Sequence, residues 1–175
     1  LILCPSRTLA LNIVDYNLAV ISNARLELVE QTSSIFYAVV TDDAGKVSVD
    51  VTFGKYRFRV YKENILLNET VIEVFNNIQT EIRCVLYNLQ VSVIVVDYFG
   101  QSIPNANVVL RGTERATRSA TTQADGTATF NNVIGGDMQI IVYLTASEDS
   151  YEAVNLRVEA PTAITIRMDK YVLLG

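Results

Sequence analysis

This sequence predicts an all-β protein made of two tandem, seven-stranded sandwiches, and three observations carry the prediction. Apolar and polar residues alternate with period two across many short windows. The chain repeats itself at a shift of about 82 residues. Asp- and Gly-containing turns punctuate the alternating windows at the spacing of short strands.

The repeat sets the domain organisation. Leu11-Asn-Ile-Val-Asp-Tyr16 aligns with Val93-Ile-Val-Val-Asp-Tyr98, and Ile21-Ser-Asn-Ala-Arg-Leu26 with Ile103-Pro-Asn-Ala-Asn-Val108. Further on, Thr41-Asp-Asp-Ala-Gly45 meets Thr122-Gln-Ala-Asp-Gly126, Gly54 meets Gly136, and Glu81-Ile-Arg-Cys84 meets Thr165-Ile-Arg-Met168. A length of 175 residues thus divides into domains at 1–87 and 88–175.

Strands in the first repeat are expected near 8–15, 23–30, 35–41, 46–52, 56–62, 70–75 and 79–87. In the second they are expected near 90–97, 106–111, 117–122, 127–131, 137–145, 153–158 and 163–169. Alternation is clean in Ala24-Arg-Leu-Glu-Leu-Val29, Lys46-Val-Ser-Val-Asp-Val51 and Tyr56-Arg-Phe-Arg-Val60, which marks half-buried strands. Gly45 and Gly126 supply positive φ at turns before the next strand. No window carries a 3.6-residue period.

Between Gln79 and Phe99 there is neither Gly nor Pro. The last strand of the first domain is therefore expected to run almost directly into the second, with Tyr87-Asn88 as the junction, a stiff end-to-end arrangement. The chain starts at Leu1 and reads as a processed protein or a stretch of a longer one. Its apolar ends, Leu1-Ile-Leu3 and Val172-Leu-Leu174, read as parts of a longer array or as segments that pair with a neighbour.

Composition narrows the function. There is no histidine, which removes the usual general base, the usual zinc ligand and every Ser-His or Cys-His nucleophile. The net charge of −5 argues against nucleic acid as a partner. Arg111, Arg115 and Arg118 form the one basic cluster; with Glu114 among them it reads as a solvated loop rather than an anion site. No apolar run approaches the ~20 residues of a membrane-spanning helix.

Residues 95–110, Val-Val-Asp-Tyr-Phe-Gly-Gln-Ser-Ile-Pro-Asn-Ala-Asn-Val-Val-Leu, followed by Thr121-Thr-Gln-Ala-Asp-Gly-Thr-Ala-Thr-Phe130, Gly135-Gly136 and Tyr151-Glu152, resemble the carboxypeptidase regulatory-like domain. The first repeat is a degenerate copy: Asn17-Leu18 stands for Phe-Gly, Ser22 for Pro and Ala44 for Asp. The resemblance implies a transthyretin-like (Ig-like), seven-stranded Greek-key sandwich and a non-catalytic role in exported surface proteins of bacteria and archaea.

No catalytic, cofactor-binding or metal site is expected. Asp15, Asp97, Asp42, Asp43 and Asp125 read as turn-capping carboxylates rather than calcium ligands. An internal Lys–Asn cross-link is not expected, because neither first strand contains lysine. Asn68-Glu69-Thr70 is a glycosylation sequon. Cys4 and Cys84 are either a disulfide or, for Cys84, a buried apolar thiol in the place of Met168. Tyr61, Tyr87, Tyr143 and Tyr171 are candidates for facing a neighbour.

The expected function is a non-enzymatic, extracellular structural protein. It would be a subunit or stalk segment of a filament or surface layer, its partners being copies of itself or neighbouring domains. The alternative is an adhesin or a carbohydrate- or protein-binding accessory module of a larger secreted protein.

Overall fold

The computed structural model describes residues 5–112, 116–144 and 147–172, with backbone only for 147–150. The described residues form fourteen β-strands and no helix. Contacts divide the chain into two compact units, Leu1–Tyr87 and Asn88–Gly175.

In the first unit the strands are β1 (Ser6–Val14), β2 (Arg25–Glu30), β3 (Phe36–Val40), β4 (Lys46–Thr52), β5 (Gly54–Lys62), β6 (Ile65–Val74) and β7 (Ile78–Arg83). They build a three-stranded sheet ordered β4-β1-β7 and a four-stranded sheet ordered β3-β2-β5-β6. Neighbours are antiparallel except β1 and β7, which run parallel with Leu9 opposite Ile78 and Val14 opposite Arg83. The chain changes sheet after β1, β3, β4 and β6, so strands distant in sequence become neighbours.

The second unit repeats this layout. Its strands are β8 (Leu89–Val96), β9 (Asn107–Gly112), β10 (Arg118–Thr121), β11 (Thr127–Val133), β12 (Gly136–Leu144), β13 (Ser147–Val158) and β14 (Thr162–Arg167). The sheets are β11-β8-β14 and β10-β9-β12-β13, again with one parallel pair, β8 with β14.

Period-two burial explains the layers. Leu9, Leu11 and Ile13 of β1 face inward, against Leu26 and Leu28 of β2 and Tyr56, Phe58 and Val60 of β5, all buried. In the second unit Leu89, Val91, Val93 and Val95 of β8 play the part of β1, and Met138, Ile140, Val142 and Leu144 of β12 that of β5.

Three boundaries lie four or more residues from expectation. β6 begins at Ile65 instead of residue 70, because Glu63 and Asn64 both take positive φ (53° and 64°) and close a two-residue hairpin onto β5. β13 likewise begins at Ser147, not 153, pairing along β12. β7 stops at Arg83 rather than 87: Tyr87 N–H donates to the Cys84 carbonyl (3.1 Å), so residues 84–87 are a turn, not strand.

Candidate functional site

The aspartates that recur in both repeats are consumed by backbone. Asp15 Oδ1 accepts from the N–H groups of Asn17 (2.8 Å) and Ala19 (3.0 Å). In the second unit, Asp97 Oδ1 accepts from Phe99 and Gln101 (2.9 Å each). Both carboxylates are buried, and each ties the loop that follows the first strand of its unit. Asp42 Oδ1 caps Ala44 and Lys46 N–H (2.9 Å each), and Asp125 Oδ1 caps Thr127 N–H (3.0 Å). Asp43 is exposed in the same turn as Asp42.

Thr41 and Thr122 were legible only as members of the turn motif. Each hydroxyl is buried and bridges two backbone groups. Thr122 Oγ1 accepts from Ala106 N–H (2.9 Å) and donates to the Ile103 carbonyl (2.7 Å). Thr41 does the same between Ala24 N–H (2.9 Å) and the Ile21 carbonyl (2.8 Å). Turn chemistry thus occupies the motif residues that resemble a site. Among the described residues no three His, Cys, Asp or Glu side chains converge as a metal-binding group.

The segment after each last strand is held in one way in both units. Cys84 N–H donates to the Val14 carbonyl (2.7 Å), and Tyr16 N–H to the Tyr87 carbonyl (3.1 Å). Met168 N–H donates to Val96 (2.8 Å) and Tyr98 N–H to Tyr171 (2.8 Å). Asn88 takes φ of 65°, which asparagine tolerates better than most residues. Tyr87 is half-buried; burial, then the Glu63 and Asp15 carboxylates, push its hydroxyl pKa up. Cys84 is fully buried beside Val14, and burial, then Asp15, push its thiol from 9.0 to about 12. Cys4, its possible disulfide partner, lies outside the described residues.

Asn68 lies within β6, half-buried, and its Nδ2 donates to the Arg83 carbonyl (3.2 Å). Two members of the basic cluster are described, Arg111 and Arg118, and they lie on different strands. Arg118 opens β10, donates to the Asn131 carbonyl (2.7 Å) and stands 5.6 Å over the Phe130 ring. Arg111 lies on β9 opposite Gln139, and Arg115 lies outside the described residues. Tyr61 is covered by the Arg25 guanidinium, 4.7 Å from its ring centre. Tyr143 leans on Tyr151 at 5.9 Å, and Tyr171 is half-buried.

Glu30 went unrecognised in the sequence. Its Oε2 accepts from Thr32 N–H (2.8 Å), Ser33 N–H and Ser33 Oγ, which holds its carboxyl below the usual range, Ser33 being the main cause. Gly54 is required beneath it, since a Cβ there would meet Glu30 Cγ at 2.8 Å. The Glu30-x-Thr32-Ser33 spacing was the available signal.

The features left over are sheet edges and loop tips. β3 is an edge strand of sequence Phe-Tyr-Ala-Val-Val, with no charge, Gly or Pro to blunt it. Glu30 N–H donates to the Ile35 carbonyl (2.8 Å) and Thr41 N–H to Ala24 (2.9 Å), which fixes the phase of the β2–β3 ladder. By antiparallel alternation, Phe36, Ala38 and Val40 then turn their backbone groups away from β2, to the open edge. Phe36 is 55% exposed and Val40 57%. The equivalent edge of the second unit, β10, is Arg-Ser-Ala-Thr, shorter and polar. At the loop after β8, Tyr98 and Phe99 stack edge to face at 5.2 Å, and Phe99 is 71% exposed.

Fold and turns together define a tandem transthyretin- or Ig-like β-sandwich protein. Residues 90–169 match the model of the carboxypeptidase regulatory-like domain family. No curated protein sequence matches the chain. The chain is similar in structure to GBS52, the minor pilin of Streptococcus agalactiae, with a TM-score of 0.56 and 11% identity over 92% of this chain and 94% of that one. It also aligns with a streptococcal ancillary pilin (TM-score 0.43, 15% identity, 93% of this chain, 62% of that one). A third alignment is with the TIE protein of Bacillus anthracis (TM-score 0.41, 15% identity, 93% of this chain). The chain spans 62% and 33% of those last two structures.

Proposed function

We propose that the protein is a non-enzymatic, exported structural module: a subunit or stalk segment of a cell-surface filament or layer. Its neighbours join by pairing strands across sheet edges. One observation carries this reading. The motif carboxylates and threonines are engaged in holding turns, whereas β3 presents an uncharged, apolar strand at the edge of its sheet. The fold shared with a minor pilin is consistent with it.

The test has two parts. Surface shaving of the source cells with protease should release peptides of this chain. Electron microscopy and sedimentation of the purified protein should show association that grows with concentration. A chain that is protected from shaving, and monomeric throughout, defeats the reading.

The exposed Tyr98–Phe99 pair favours a second reading, an adhesin or binding accessory module, since stacked aromatics form ligand platforms. Glycan and matrix-protein binding that vanishes in the double variant Tyr98→Ala/Phe99→Ala would select it.

A further inference from the structure

We propose that β3 is a homotypic docking edge, pairing antiparallel with β3 of a second copy about a two-fold axis at Ala38. This rests on the strand-pairing reading above and names its surface and partner.

Phase comes first. Phe36, Ala38 and Val40 direct their N–H and C=O groups to the open edge. In an antiparallel pairing centred on Ala38, Phe36 falls opposite Val40 of the second copy, Ala38 opposite Ala38, and Val40 opposite Phe36. Each of these is then a hydrogen-bonded pair that exchanges both N–H···O bonds. A shift of one residue would set open-edge groups against groups already committed to β2.

Side chains agree with that register. The run Ser33–Thr41 is uncharged, so self-pairing opposes no like charges even though the whole chain carries −5. The smallest side chain of the strand lies on the axis, where two copies of one residue must fit. On the solvent side Phe36, Ala38 and Val40 would be covered by their counterparts.

The second unit supplies an internal comparison. Thr122 N–H donates to the Ala106 carbonyl (2.9 Å), so Ser119 and Thr121 hold the open-edge positions of β10. That edge presents hydroxyls beside Arg118, a blunted edge on the same scaffold. The two edges differ in the residues that decide pairing. A two-fold contact is also the commonest closed symmetry for identical chains.

A five-residue strand pair is small, below the ~1,200 Å² of stable complexes, so a weak, concentration-dependent dimer is expected. The experiment is sedimentation equilibrium of the full chain from micromolar to millimolar concentration, with Ala38→Lys, Ala38→Glu, their equimolar mixture, and Ser119→Lys as a control. The parent and Ser119→Lys should dimerise alike. Each Ala38 variant alone should weaken dimerisation about two- to fivefold, because the axis places like charges directly opposite. The mixture should regain it, a rescue that misfolding cannot produce. If the parent associates and the Ala38 variants do so equally well, or the mixture fails to recover, the β3 assignment is overturned and assembly through other edges stands. A parent chain that stays monomeric at all concentrations overturns both.

Discussion

Alanine substitution at Gly100 and at Gly126 should separate backbone strain from steric collision. Both glycines have positive φ, 81° and 79°. A Cβ at Gly100 would meet nothing within 4 Å. Its cost is the left-handed conformation alone, about 1–2 kcal/mol. The stiffer unfolded chain offsets about 0.4–1 kcal/mol of that. A net loss near 1 kcal/mol follows for Gly100→Ala. At Gly126 the Cβ would stand 2.8 Å from the Val95 carbonyl oxygen and 3.0 Å from Ser102 Cβ. That carbonyl accepts from Ile103 N–H (2.9 Å), and Val95 N–H donates to Gly126 (2.8 Å), so neither side can yield without disturbing a hydrogen bond. Disturbing one buried bond adds about 1–3 kcal/mol. Gly126→Ala should therefore lose about 2–4 kcal/mol. In a unit of this size 1 kcal/mol moves the melting midpoint by about 4–8 °C. Differential scanning calorimetry of the two variants should show a shift at least twice as large for Gly126→Ala. Leu18, at the place of Gly100 in the first repeat, has φ of 66° and is 61% exposed, so Leu18→Gly should leave stability unchanged or raise it. Equal losses at Gly100 and Gly126, or a clear loss on Leu18→Gly, would refute the reasoning.

Other outcomes follow from single groups. Thr122→Val keeps shape but leaves Ala106 N–H and the Ile103 carbonyl unpaired, which should lower stability in urea titration by about 2–4 kcal/mol. Cys84 should resist iodoacetamide until the protein is unfolded. Its folded pKa of about 12 lies above the ordinary 9.0, so its contribution is complete below pH 9 and is lost as pH rises from 9 toward 12. The difference in urea midpoint between the parent and Cys84→Ala should change across that window. Glu30 is shifted the other way: its contribution is present above the ordinary 4.5 and is lost as pH falls below it, so Glu30→Gln should flatten the acid limb of the stability profile.

Much of the fold was legible because its signals are local. Period-two alternation located the strands within a few residues, and the 82-residue repeat showed that the same layout recurs. Asp15 and Asp97 were readable as caps because an Asx turn is completed within four residues. The hairpin at Glu63-Asn64 was not, since neither residue carries the glycine signal of a two-residue turn. Glu30 escaped because the residue that leaves room for its side chain, Gly54, lies twenty-four positions away.

By itself the sequence determined the all-β class, the repeat, the turn residues and the lack of histidine-based chemistry, all of which depend on residue identity and near neighbours. Only the tertiary structure decided that β1 lies parallel to β7, that β3 is an edge, and that Phe36, Ala38 and Val40 turn their backbone groups outward. The physical reason is that a strand's alternation records which of its faces is buried. It does not record which strand lies beside it, nor which of its two rows of hydrogen-bonding groups is left without a neighbour.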